Sequence, residues 1–154
     1  MQIKITTDYT IRTLLYLYLK RGQVITSEEI AESVRIPFNY LCKITRQLKK
    51  AGYIKAIQGR FGGYQIKEPA DGISLYDVIR LTEPEKINRC LEEDHRCSRN
   101  AYGLCTVSRF YEMVQSDWDR RLKSMTLKVL ASDPDREELQ RILEDSREVQ
   151  ERSR

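Results

Sequence analysis

Residues 26–67 limit the fold more than any other part of the chain, because every element there is short and every boundary is marked. Thr26 and Glu29 stand at capping-box spacing, T-x-x-E. A helix is expected to open there with two orphan amides satisfied. Ile30, Ala31 and Val34 mark its inner face, and Arg35-Ile36-Pro37 breaks it. Pro37 suits the first position of the next helix, where a missing N–H costs nothing. That helix carries Leu41, Ile44, Thr45 and Leu48 at spacings of three and four and stops at Ala51-Gly52. The hydrophobic period then falls to two. Residues 53–57 and 63–67 alternate as strands around the turn Gln58-Gly59-Arg60-Phe61-Gly62. Two short helices across a tight break, followed by a hairpin, make a winged helix-turn-helix.

The flanking segments complete a mainly α fold with a small β wing. A helix over residues 7–20 has Tyr9, Ile11, Leu14, Leu15, Leu17, Tyr18 and Leu19, a face wide enough to be buried on several sides. Ser74 caps a short helix running to Leu81, ended by Glu83-Pro84. Val107, Phe110, Tyr111, Val114, Trp118, Leu122, Met125 and Val129 predict one long C-terminal helix. Its stripe follows a complete small domain, so its expected role is dimerisation, with Trp118 as an anchor. The organisation expected is a winged helix-turn-helix DNA-binding domain at 1–82, a cysteine-bearing loop at 83–106, a dimerisation helix at 107–131 and a charged, helix-forming tail at 132–154.

Charge sets the expected partner. Net charge is only +4, but residues 35–67 hold Arg35, Lys43, Arg46, Lys49, Lys50, Lys55, Arg60 and Lys67 with no Asp or Glu. A basic block of that kind suits a polyanion. With Leu41, Ile44 and Leu48 inward, the third helix presents Asn39, Tyr40, Lys43, Arg46, Gln47 and Lys50 to the major groove of double-stranded DNA. Lys49, Lys50 and Lys55 are expected on phosphates, and Arg60 at the wing tip in a narrow minor groove. No apolar run is long enough for a membrane span. Charges and Asp8 interrupt any signal-peptide pattern, so the cytoplasm is the expected compartment.

Cys90, Cys97 and Cys105 lie in a polar stretch at spacings x6 and x7. Zinc sites favour tighter pairs, whereas an iron–sulfur cluster takes thiolates from a wider loop. Arg89, Arg96 and Arg99 favour deprotonation. Metal or cluster binding, a zinc site or thiol switch, and inert cysteines all stand as readings of these residues. Enzymatic use of a thiol lacks a base, since His95 is the only histidine.

The stretch YLCKITRQLKKAGYIKAIQGRFGGYQI resembles the winged-helix core of the Rrf-type transcription regulators, the group of IscR and NsrR. Tyr40-Leu41, Ile44, Leu48, Gly52-Tyr53-Ile54 and Gly62-Gly63-Tyr64 carry the resemblance, which extends to about residue 130. Gln58 stands where the family usually has a wing arginine, with Arg60 two places on. The resemblance implies a homodimeric regulator on a pseudo-palindromic operator, controlled by an iron–sulfur cluster on Cys90, Cys97 and Cys105. The cluster would be 4Fe-4S, with 2Fe-2S as the other form, and would sense nitric oxide, redox state or iron. Ser108 replaces the histidine of IscR-like members. Likeness to the NsrR-like branch makes Asp8, donated by the other subunit, the fourth ligand, ahead of His95 and Cys42.

Overall fold

A computed structural model describes residues 3–132, apart from 85, 95, 96, 98, 100 and 102. His95, Arg96 and the tail beyond 132 lie outside the described residues. The helices are α1 (Ile5–Leu19), α2 (Ser27–Ser33), α3 (Phe38–Lys50), α4 (Leu75–Ile79), α5 (Thr106–Ser124) and α6 (Leu127–Ala131). Strands β1 (Ile54–Ile57) and β2 (Gly63–Ile66) pair antiparallel with Ile54 opposite Ile66 and Ile57 opposite Gly63. A 3-10 turn, Arg89–Leu91, lies at the start of the cysteine segment. The mainly helical fold with a two-stranded wing is the one expected.

Leu14, Leu17, Ile30, Leu41, Ile44, Leu48, Ile54 and Ile66 form one core around α1 and α3. Each fully buried aliphatic side chain contributes about 1.5–3 kcal/mol. Between them lie Thr7, Thr10 and Thr13, all wholly buried on α1. Thr10 and Thr13 donate to the carbonyls of Thr6 and Tyr9 at 2.7 and 2.8 Å. Such back-bonding offsets the desolvation of a buried hydroxyl, so threonine serves as core beside the apolar stripe.

A Schellman motif ends each of the two helices of the helix-turn-helix. At the end of α2, Ile36 N–H bonds Ala31 C=O at 2.9 Å and Arg35 N–H bonds Glu32 C=O at 3.3 Å. Arg35 takes the left-handed residue, with φ +52°. At the end of α3, Tyr53 N–H bonds Leu48 C=O at 3.0 Å, and Gly52 has φ +81°. Pro37 precedes α3 as its cap, one position earlier than expected. Thr26 caps α2 through Glu29 N–H at 3.2 Å. The reciprocal half of that box is not made, because Glu29 accepts from Tyr16 O–H at 2.9 Å instead. The complete box is at Ser74, with Asp77, and α4 ends at Ile79, short of Leu81.

The single helix expected over 107–131 is broken after Ser124. Leu75 N–H bonds Met125 C=O at 2.9 Å, and Leu127 N–H bonds Ile73 C=O at 2.8 Å. These bonds hold residues 125 and 126 out of helical geometry, and Thr126 caps α6 through Val129 N–H at 3.3 Å. Leu127 then enters the core of the winged domain. The apolar period survives the break because α5 and α6 lie against the same domain. On α5 the inward line is Ser108, Gln115 and Leu122. Trp118, Leu122, Tyr76 and Ile79 line a cavity of about 280 Å³ between α4, α5 and the residues leading into α1, Ile3 and Lys4.

Glu83 fastens the start of α1 to the end of the winged domain. Its Oε1 accepts from Lys4 N–H at 2.7 Å and from Thr7 O–H at 2.6 Å. Burial pushes its carboxyl up, but the Thr7 and Lys4 hydrogen bonds outweigh this and hold it below the ordinary glutamate value. A depressed carboxyl stabilises the fold above its unfolded pKa of about 4.3 and loses that effect as pH falls through the folded value. Glu83→Gln is therefore expected to cost about 1–2 kcal/mol near neutral pH. Urea midpoints of the two proteins should converge below about pH 4; a gap that persists there would contradict the assignment.

Candidate nucleic-acid interface and thiol segment

The amphipathic pattern of α3 points one face into the core and leaves the other to solvent. Asn39, Lys43, Arg46, Gln47 and Lys50 are exposed, and Tyr40 is half-buried. Tyr40 meets Tyr9 of α1 edge-on, with ring centroids 5.5 Å apart, and Lys43 Nζ lies 5.9 Å from the Tyr40 ring centre. Asn39 Oδ1 accepts from Tyr40 N–H at 2.9 Å, which leaves its amide N–H groups facing outward as donors. Cys42 is exposed on this same helix, away from the other cysteines in sequence.

In the wing, Lys55, Gln58 and Arg60 are exposed. Arg60 sits over the Phe61 ring at 5.7 Å, and Phe61 is 86% exposed. Phe61 escapes a reading based on charge alone. An aromatic inside a glycine-bearing turn, with no core to enter, is the signal. The hairpin is tied back to the domain through Ile25, whose N–H and C=O bond Tyr64 C=O and N–H at 2.9 and 2.8 Å.

The thiol segment lies between α4 and α5. Cys90 donates its S–H to Asn88 Oδ1 at 2.7 Å. Cys97 accepts from Ala101 N–H at 3.4 Å, and Cys105 from the Arg99 guanidinium at 2.9 Å. The amides of Ala101 and then Arg99 hold the Cys97 thiol below its ordinary value, against the opposing influence of Cys105. Cys105 immediately precedes α5. The Ser108 amide, with those of Val107 and the Arg99 guanidinium, outweighs partial desolvation and lowers this thiol too. Thiolates at a helix N-terminus and beside arginine are the form that binds metal or reacts.

Asp8, in the first turn of α1, pairs with Arg12 one turn on, and its side chain is 42% exposed. Among the described residues, no three His, Cys, Asp or Glu side chains gather as a metal-holding group within one chain. Cys97 and Cys105 are the thiols whose surroundings suit a thiolate-held group, whereas Cys90 is turned to Asn88 and Asp8 lies on α1. Ser108 is buried on the inner line of α5.

The family model for Rrf2, described as an iron-dependent transcriptional regulator, matches residues 3–133. The chain belongs to the Rrf2 family. An HTH-type transcriptional regulator of Aquifex aeolicus (strain VF5) is 32% identical over 126 residues, covering 81% of this chain and 88% of the relative. CymR, the global cysteine regulator of B. subtilis, superposes with a TM-score of 0.68 at 25% identity, covering 86% of this chain and 97% of CymR. IscR of T. potens shares the fold, with a TM-score of 0.67 at 22% identity over 84% of this chain and 85% of IscR. Rrf2 membership makes this chain a DNA-binding transcription regulator, not an enzyme. Among the described residues, no helix is long and apolar enough to cross a membrane.

Proposed function

We propose that this Rrf2 regulator binds a pseudo-palindromic operator as a homodimer and that an iron–sulfur cluster sets its affinity. Asn39, Tyr40, Lys43, Arg46, Gln47 and Lys50 of α3 read or flank bases, while Lys55, Gln58 and Arg60 of the wing track the backbone and minor groove. Cys90, Cys97 and Cys105 hold the cluster, with Asp8 of the partner subunit as the fourth ligand. What supports the cluster is the setting of two thiols, Cys105 beside the Arg99 guanidinium at 2.9 Å and directly before α5, and Cys97 accepting from the Ala101 amide at 3.4 Å. When bound, the cluster supplies redox and nitric-oxide chemistry; an oxygen ligand leaves one iron the more easily exchanged. The dimer face is the outward side of α5, where Val107, Phe110, Met113 and Val114 are exposed, with exposed Leu104 just before the helix. A regulator working on nucleoid DNA belongs in the cytoplasm.

Anaerobic purification tests this directly. The expected protein is brown, with acid-labile sulfide and a four-iron Mössbauer signature. Asp8→Ala should change cluster lifetime while the metal-free protein still folds. A colourless protein with stoichiometric zinc would overturn the cluster. One observation favours a second reading: Cys97 and Cys105 share Arg99, whose backbone amide faces Cys97 and whose guanidinium donates to Cys105 at 2.9 Å. Peroxide oxidation would then join them as a disulfide, two protons and two electrons passing to the peroxide. Mass spectrometry of cluster-free protein would show that bond together with altered DNA affinity.

A further inference from the structure

Glu83 belongs to neither the DNA face nor the thiol set, yet it stands between them. Lys4, the N-cap of α1, has extended backbone, and no side-chain hydrogen bond of its own closes that helix end. A carboxylate 79 positions downstream does so, with Glu83 Oε1 accepting from the Lys4 amide at 2.7 Å. The same oxygen accepts from Thr7 O–H at 2.6 Å, and Oε2 lies 3.3 Å from Lys4 Nζ. Lys4 Nζ also donates to Thr82 C=O at 3.0 Å, and the Thr7 and Thr82 hydroxyls meet at 2.7 Å. Thr7 is wholly buried, and the Glu83 side chain is 13% exposed. A desolvated negative charge at a helix N-terminus holds that end tightly.

Two neighbours give this junction its reach. Asp8 N–H bonds Lys4 C=O at 3.2 Å, so Asp8 rides on the turn that Glu83 holds. Pro84 follows Glu83 directly and opens the segment leading to Cys90. Its fixed φ and missing N–H restrict how that segment departs. We propose that Glu83 is the positioning residue of the sensor site. It fixes the first turn of α1, and Asp8 with it, against the root of the cysteine-bearing segment. In a symmetric dimer this sets where each subunit presents Asp8 to the thiols of the other. The inference rests on Asp8 being a cluster ligand.

Amide hydrogen exchange on the full-length, metal-free chain tests the junction itself. Glu83→Ala and Thr7→Val should each speed exchange at Thr7 and Asp8 about tenfold, the scale of one charge-assisted hydrogen bond. The double variant should add little to Glu83→Ala, because the bond from Thr7 O–H to Glu83 is already lost there. Amides of Leu14 and Leu48 should be unchanged. Wild-type exchange at Thr7 and Asp8 in Glu83→Ala would overturn the proposal. If that variant loses protection at Leu48, Glu83→Gln and Thr7→Val carry the same comparison.

Reconstitution with ferrous iron and sulfide tests the role toward Asp8, read as decay of visible absorption in air. Glu83→Ala should decay as fast as Asp8→Ala, and the double variant no faster than Asp8→Ala. Wild-type decay of Glu83→Ala, or additive decay in the double variant, overturns the positioning role and leaves Asp8 as ligand. Wild-type decay of Asp8→Ala removes Asp8 from the ligand set and the positioning role with it. That failure shows in the Asp8 variant alone.

Discussion

Replacing Lys43, Arg46 and Lys50 together with glutamine is expected to lower affinity for duplex DNA from the upstream region about a hundredfold, at roughly 1 kcal/mol for each lost contact. All three side chains are exposed on the outer face of α3, so the fold should be untouched and the circular dichroism unchanged. The sharper readout is salt dependence. Each phosphate contact contributes about 0.9 to the slope of log affinity against log salt, so three lost contacts should flatten it by about 2.7. Arg60→Ala should remove a smaller part, about one such increment, because only the wing tip is affected. An unchanged slope in the triple variant would place the phosphate-binding surface elsewhere. Loss of slope without loss of sequence preference would assign base reading to Asn39, Tyr40 and Gln47.

The winged domain was legible because its signals are local. Leu41, Ile44, Thr45 and Leu48 are four residues on one helical face, and all four are buried as their spacing requires. The hairpin register follows from alternation and from the length of its turn. What escaped the sequence depends on distant partners. Thr7, Thr10 and Thr13 read as polar until their hydroxyls are seen bonded to backbone or to Thr82 and Glu83. The break between α5 and α6 has no Gly or Pro to announce it; it is imposed by Ile73 and Leu75, some fifty positions upstream. The thiol segment was legible as chemistry but not as geometry. Three cysteines are plain in the sequence, whereas the amides of Ala101, Val107 and Ser108 that lower two of them come from backbone conformation.

Gly63→Ala should be the most destabilising single-methyl change in the wing, at about 3 kcal/mol, or about 10 °C in melting temperature. A Cβ built there lies 2.2 Å from Ile25 O and 2.7 Å from Ile25 C, both backbone atoms that no rotamer change moves. Gly62 is almost as confined, with Ile57 O at 2.4 Å. Both glycines serve close approach, but to different backbones: Gly63 seats the wing against the loop before α2, which it bonds through Tyr64, and Gly62 lets the wing turn close on Ile57 and Gly59. Gly72→Ala is the control, since nothing lies within 4 Å of its Cβ, and it should stay within about 0.5 kcal/mol of wild type. Relief of the clash at Gly63 requires the Ile25–Tyr64 bridge to open, which swings the whole hairpin. Gly63→Ala should then also lose the wing's share of DNA affinity, and adding Arg60→Ala to it should cost little more. A Gly63→Ala protein that melts with wild type would mean that the wing is not seated on Ile25. Full additivity with Arg60→Ala would mean that the displaced wing still reaches its groove.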